Sequence, residues 1–373
     1  MLQYITCGES HNRYLAAILE GMPSGLSIDI ALIQEELARR QKGYGRGGRM
    51  KLEKDEVEII SGVLKGKTTG APIGFLLANK EVKIDELPEL FRPRPGHADL
   101  TGSLKYHSSI RPILERSSAR ETSMRVAMGA LTKQLLSLFH VEVASHVTQV
   151  GKTVLQDQNK ISFERIGKAR ESEMNCVSKD FESAVIREIE IAKKKGDTLG
   201  GTFEARVKGV PVGLGSHVHH ERKLDGRLAQ AILSIQAVKG VEFGLGFGMA
   251  SRYGSEVHDE IFYSKGRGYF RKTNRAGGIE GGMSNGEEIV VRGVMKPIST
   301  LIKPLRSVNM KTKKPEKASY ERSDISTLPA CSVIAEAVVA YEIARAFLEK
   351  FGGDSITEIE RNFEGYKKQL LHS

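Results

Sequence analysis

The stretch SARETSMRVAMGALTKQLLSLF, from Ser118 to Phe139, constrains the fold most. It predicts one long helix, and its small residues Ala127, Gly129 and Ala130 let a neighbouring element approach closely. A second helix is predicted within residues 27–45, with Ile30, Ile33 and Leu37 on one face and Gly43 as C-cap. VEIISGVL at 57–64 reads as a strand, and further strands are predicted at 141–150, 201–210 and 287–295. Two helices close the chain. One runs from about Val333 to Phe351. The other opens with the capping-box pattern Ser355 to Glu358 and carries Ile359, Phe363 and Tyr366 at helical spacing. Strands do not alternate strictly with helices, so Rossmann order is not indicated and the class is α+β. No repeat, low-complexity tract or proline-rich linker divides the 373 residues, which predicts one domain over 1–373.

With 40% hydrophobic and 27% charged residues, the balance is that of a soluble globular protein. No apolar run approaches the ~20 residues of a membrane span. The start, MLQYITCGESHNRY, lacks a basic region followed by an apolar one, so no signal peptide is expected. Cys7, Cys176 and Cys331 are odd in number and lack metal-ligand spacing, which suits reduced thiols in the cytoplasm. The net charge of +10 admits either a nucleic acid or a polyanionic small substrate. Arginines cluster around glycines rather than along one helix face. At 6% aromatic residues and no tryptophan, a stacking platform for single strands is disfavoured.

Three motifs imitate known sites. GYGRGG at 43–48 matches G-x-G-x-x-G, but that fingerprint needs a strand before it, and here a helix precedes. A mobile arginine-bearing loop that folds over an anion fits better. SGVLKGKT at 61–68 imitates a P-loop, yet Ser61 stands where glycine is required and Gly62 is one residue too close to Gly66. A strand ending in a lysine turn is the better account. HVHHE at 217–221 would place His217 and His219 on one face of a strand. A third ligand could only be the adjacent His220 or Glu221, which alternation turns away, so no metal is expected.

Five other segments share a composition. GESHNR (8–13) sets Ser10, His11 and Arg13 beside a glycine. RRQKGYGRGGR (39–49) places Arg39, Arg40, Arg46 and Arg49 around four glycines. RPRPGHAD (92–99) holds Arg94 and His97 on proline-stiffened backbone. RPILERSSARETSMR (111–125) brings Arg111, Arg116, Arg120 and Arg125 with Ser117 and Ser118, which would cap a helix and favour an anion there. NRAGGIEGGMSNG (274–286) has five glycines, which let backbone amides near a ligand. Arginine suits bidentate contacts to phosphate and carboxylate. Convergence of these segments implies a ligand bearing both, and by itself names no reaction.

In this order the segments resemble chorismate synthases over nearly the whole chain. The matching pieces include GESH, ARRQKGYGRGGRM, SGVLKGKTTGAPI, RPGHADLTGSLKY, RSSARETSMRVAMGA, SIQAVKGVEFGLGF, NRAGGIEGGMSNG, RGVMKPIST and the ERSD of 321–324. The resemblance implies helices packed between two antiparallel sheets, a β-α-β sandwich, and a homotetramer. It implies a lyase that converts 5-enolpyruvylshikimate 3-phosphate to chorismate and phosphate by 1,4-elimination, using reduced FMN that is not consumed. By the match, Ser10, Arg40, Arg46, Arg49, Arg94 and Arg120 grip the substrate. FMN is held by Arg116, Ser117, Ser118, Gln236, Ala237, Gly281, Lys296, Pro297, Ile298, Ser299, Thr300 and Arg322. His97 serves as general acid to the leaving phosphate, and His11 protonates or stabilises anionic reduced flavin. Asp324 accepts a proton by way of flavin N5. Arg40 and Arg46 also match positions that meet NADPH in members reducing their own flavin.

The chain departs from the commoner family pattern in places. Asn12 replaces the glycine of GESHG. Ser323 replaces a histidine, and Ala330 an arginine, of the C-terminal motif.

Overall fold

The computed structural model describes residues 1–45, 54–266, 268–321 and 324–371. Short alternations of buried and exposed residues build the first sheet. Its strands are β1 (Gln3–Cys7), β2 (Tyr14–Glu20), β3 (Val57–Ile59) and β4 (Ile73–Ala78), antiparallel in the order β1-β2-β4-β3. Side chains alternate across a strand, so on β2 Leu15, Ala17 and Leu19 are buried while Tyr14 and Ile18 face outward. The second sheet contains β5 (Glu142–Val150), β6 (Thr153–Val154), β7 (Gly201–Lys208), β8 (Val238–Phe243) and β9 (Ile289–Met295). It is antiparallel in the order β8-β9-β7-β5-β6.

The main helices are α1 (Ile30–Gln41), α2 (Asp99–Tyr106), α3 (Ile110–Ser117), α4 (Thr122–Ser137), α5 (Lys179–Lys195), α6 (Leu224–Leu233), α7 (Leu328–Phe351) and α8 (Ile356–Leu371). α4 lies on the first sheet, α7 on the second, and the two helices pack against each other. The result is a sheet, a helical layer and a second sheet, as the resemblance implied. One continuous core runs from Leu2 to Phe363. The crossing of α4 and α7 depends on Gly129. A Cβ there would stand 2.5 Å from Ala337 Cβ and 2.7 Å from the Ala337 carbonyl oxygen.

Several elements differ in detail from expectation. The Ser118–Phe139 helix opens with a tight turn at Ala119–Glu121, and Ser118 Oγ accepts from the Arg120 amide at 3.3 Å. Ser117 is instead the last residue of α3, its hydroxyl donating to the Leu114 carbonyl, so only Ser118 caps. On α1, Ile33 and Leu37 are buried but Ile30 is 42% exposed; Glu36, Arg39 and Arg40 take the interior positions in ion pairs. The predicted strand at 57–64 stops at Ile59. Val63–Leu64 pairs with Lys67–Thr68 through Lys65 and Gly66, both left-handed, which is the geometry of a tight hairpin turn. α7 begins at Leu328, five residues before the predicted start, because Pro329 is tolerated in a first turn.

Residues 217–219 form a bend, not a strand, so the premise of a shared strand face for His217 and His219 fails. Among the described residues no three His, Cys, Asp or Glu side chains converge on a metal site, and no helix is long and apolar enough to cross a membrane.

Candidate active site

Residues 8–13 join β1 to β2, and their backbone is fixed from outside. Asn79, just after β4, donates to the carbonyls of Glu9 (3.3 Å) and Asn12 (2.7 Å), and the Ser10 amide donates to the Glu115 carbonyl (3.1 Å). Asn12, the departure from the family pattern, adds a bond to Glu9 Oε2 at 2.7 Å. Glu115 on α3 holds His11 twice, accepting from its amide at 3.0 Å and lying 2.9 Å from Nδ1. Burial pushes the Glu115 carboxyl up, but the His11 contacts and the Arg111 charge outweigh burial and hold it below its ordinary range.

Beside this loop, two buried guanidinium groups share one buried carboxylate. Arg40 donates to Thr122 Oγ1 (3.0 Å), the Ala119 carbonyl (2.8 Å) and Asp55 Oδ2 (3.3 Å). Arg120 donates to Asp55 Oδ1 (2.6 Å) and Asn79 Oδ1 (3.0 Å). Arg39, by contrast, is committed inside the helical layer to Glu36 and Glu336. Arg111 and Arg125 pair with Glu115 and Glu121.

Arg116 turns toward β1, donating to the Gly8 carbonyl (3.0 Å) and to the Thr6 carbonyl (3.0 Å) and hydroxyl (3.1 Å). Thr6 donates to Glu121 Oε1, and Gln236 donates to Glu121 Oε2. Gln236 and Ala237 lie between α6 and β8, and the Lys296 amide donates to the Ala237 carbonyl at 2.9 Å. Here the polar groups are left open. Gln236 Oε1 is buried without a hydrogen-bond partner. The half-buried Lys296 has no carboxylate partner among the described residues, and burial together with nearby Lys239 pulls its pKa down.

Downstream of Lys296, Ile298 accepts from Thr198, and Thr300 Oγ1 accepts from Arg94 Nη1 at 2.9 Å. Pro297 is exposed and Ser299 half-buried. Arg94 opens the last cluster. Its Nε and backbone amide donate to Asp99 Oδ2 (2.8 and 3.0 Å), and its Nη2 to Asp99 Oδ1 (3.0 Å). His97 Nδ1 stands 2.5 Å from the same Oδ1. The strap itself is held by Ser307 on the Pro93 carbonyl and by the Ser319 amide on the Arg92 carbonyl.

Hydrogen bonds and short stretches of chain therefore connect Arg116, Gln236, Ala237, Lys296, Thr300, Arg94 and His97 along one edge. Ser10, His11, Arg40, Ser118 and Arg120 join it through Asn79, Glu115 and the α3–α4 turn. Glu321 reaches Arg111 at 3.3 Å, which brings the segment bearing Asp324 to α3. Gly281 does not join. It sits in a hairpin whose Gly282 carbonyl accepts from the Leu224 amide at the start of α6, whereas Gln236 follows the other end. Ten helical residues separate those ends by about 15 Å. Arg46, Arg49 and Arg322 lie outside the described residues. Ala330 is buried in the first turn of α7. The residues not singled out from sequence are Asp55, Asn79, Asp99, Glu115 and Glu121. Asp99, Glu115 and Glu121 stood inside the arginine-rich segments; for Asp55 no sequence signal existed.

An edge with paired guanidinium groups, an uncompensated lysine and two carboxylate-anchored histidines defines an enzyme for a multiply anionic small molecule. The family model for chorismate synthase matches residues 2–348. The chain is 53% identical to the chorismate synthase of Alkaliphilus metalliredigens, covering 98% of this chain and 99% of that one. It is 54% identical to that of Pelobacter propionicus over 99% of each chain. A crystal structure of a chorismate synthase superposes with a TM-score of 0.83 at 41% identity, covering 100% of this chain and 99% of the other. The chain belongs to the chorismate synthase family. It is a lyase that makes chorismate and phosphate from 5-enolpyruvylshikimate 3-phosphate, the last common step toward the aromatic amino acids.

Proposed function

We propose that the elimination depends on reduced FMN, and that the flavin phosphate is received at Lys296 beside Gln236. The observation that carries this reading is the unpaired, half-buried Lys296. Burying a cation without a counter-charge is costly, and an anionic group seated there removes the cost. Arg116, Ser117, Ser118, Ala237, the 297–300 segment and Arg322 complete the cofactor site in this reading. Bound there, reduced FMN supplies transient electron donation to the substrate.

The chain's own groups handle charge and protons. Ser10, Arg40, Arg46, Arg49, Arg94 and Arg120 meet the two carboxylates and the phosphate of the substrate. His97 gives a proton to the phosphate as its bond to carbon breaks, which lowers the charge separated in the transition state. Asp324 takes the proton lost from C6. His11, its ring fixed by Glu115, faces the reduced cofactor. The enzyme works as a cytoplasmic homotetramer. Gly281 supports assembly, since its hairpin meets the end of α6 opposite to Gln236 and it would meet the same cofactor most simply from a second copy.

Titration with FMN, read by flavin fluorescence, tests the site. Lys296→Ala is expected to weaken binding by roughly 10- to 100-fold, the worth of one charge-assisted contact. Unchanged affinity in the variant contradicts the placement. Sedimentation of the same samples is expected to show four chains per particle, and a monomer contradicts the assembly.

A further inference from the structure

We propose that Asp55 is a positioning residue that fixes the spacing of Arg40 and Arg120, so that the two guanidinium groups meet the substrate as one preset clamp. This rests on the reading of Arg40 and Arg120 as substrate-binding groups. The two arginines come from different elements, Arg40 from the last turn of α1 and Arg120 from the turn that opens α4. Asp55 stands between them. Its Oδ1 accepts from Arg120 Nη1 at 2.6 Å and its Oδ2 from Arg40 Nη1 at 3.3 Å. All three side chains are buried. The two oxygens of one carboxylate are rigidly spaced, so a bond to each fixes the separation of the cations. Like charges held close together away from water repel, and the anion between them offsets that repulsion.

Asp55 is itself held by the helix that carries Arg40. Gln41 Oε1 accepts from the Asp55 amide at 3.1 Å. Gln34 takes both the amide (3.2 Å) and the carbonyl (2.9 Å) of Val57. Gln34 and Gln41 stand two turns apart on one face of α1. The backbone around Asp55 is thereby locked to α1, and the carboxylate carries that frame across to Arg120. Other braces act on each arginine alone: Thr122 and the Ala119 carbonyl on Arg40, Asn79 on Arg120. Of these partners only Asp55 touches both. A clamp set before the substrate arrives loses no binding energy to ordering its arms.

Steady-state kinetics with reduced FMN tests the role. Asp55→Asn keeps the size of the side chain but turns an N–H toward one of the arginines. It is expected to raise KM for 5-enolpyruvylshikimate 3-phosphate by about 10-fold or more, while kcat falls by less than about threefold. FMN affinity, read by flavin fluorescence, is expected to stay within about threefold of wild type, which separates lost spacing from general damage to the site. Unchanged KM overturns the proposal, as does a loss confined to kcat or an equal loss of FMN affinity. The substrate-binding reading fails separately, if Arg120→Ala leaves KM unchanged. A structure of the unaltered enzyme with 5-enolpyruvylshikimate 3-phosphate and oxidised FMN stands apart from folding of the variant. Both guanidinium groups are expected to keep Asp55 while each donates another N–H to the substrate. A guanidinium that leaves Asp55 to reach the substrate overturns the proposal even if Asp55→Asn does not fold.

Discussion

Glu204 lies on β7 with the buried His146 at 3.2 Å, Arg206 at 2.7 Å and Arg292 at 3.0 Å. Burial pushes its carboxyl up, but the His146 bond and the arginine charges reverse this and hold it at about 2, against 4.5 for a free side chain. A folded value below the unfolded one means stability that is present above pH 4.5 and is lost as pH falls toward 2. Glu204→Gln is expected to cost about 3 kcal/mol near neutrality, as for other broken buried pairs. It is also expected to flatten the decline of Tm between pH 5 and 3. A parallel acid limb in variant and wild type counts against this carboxylate as a source of acid sensitivity. At this scale the sequence was half legible. Arg94 and His97 were visible on proline-stiffened backbone, and Arg116 and Arg120 beside the Ser117–Ser118 pair. Their acidic partners were not, because Asp55 reaches Arg40 and Arg120 across 15 and 65 positions, and no local pattern reports such pairings.

α4 and α7 approach each other closely at Gly129. Gly129→Ala is expected to destabilise by about 1–3 kcal/mol through overpacking. Ala337→Gly is not expected to rescue it, because the added methyl would also meet Ala337 Cα at 2.6 Å and its carbonyl oxygen at 2.7 Å. Tm values for the single and double variants decide this, and full recovery in the double variant would place the conflict in the side chain alone. The small residues of Ser118–Phe139 made this crossing legible in advance. So did the Ser355–Glu358 box, where Glu358 accepts from the Ser355 amide at 3.1 Å. What failed at element scale was local. Ile30 carried the apolar pattern but faces outward, since α1 buries Arg39 and Arg40 instead, and periodicity scores charges as surface.

Over the whole molecule, the α+β class followed from the order of elements, but the two-sheet sandwich did not. β2 pairs with β4 rather than with β3, and β9 enters between β8 and β7, so the sheets are built by contacts that sequence order conceals. Only the ordered set of motifs carried the layered fold and the reaction. The net charge of +10 is of the sign that an anionic substrate requires. The most direct test mixes the protein anaerobically with 5-enolpyruvylshikimate 3-phosphate and FMN in either redox state. With reduced FMN, chorismate and phosphate are expected in equal amounts at undiminished flavin; with oxidised FMN alone, neither. No product with reduced FMN, or equal product in both states, would contradict a reduced-flavin elimination at this edge.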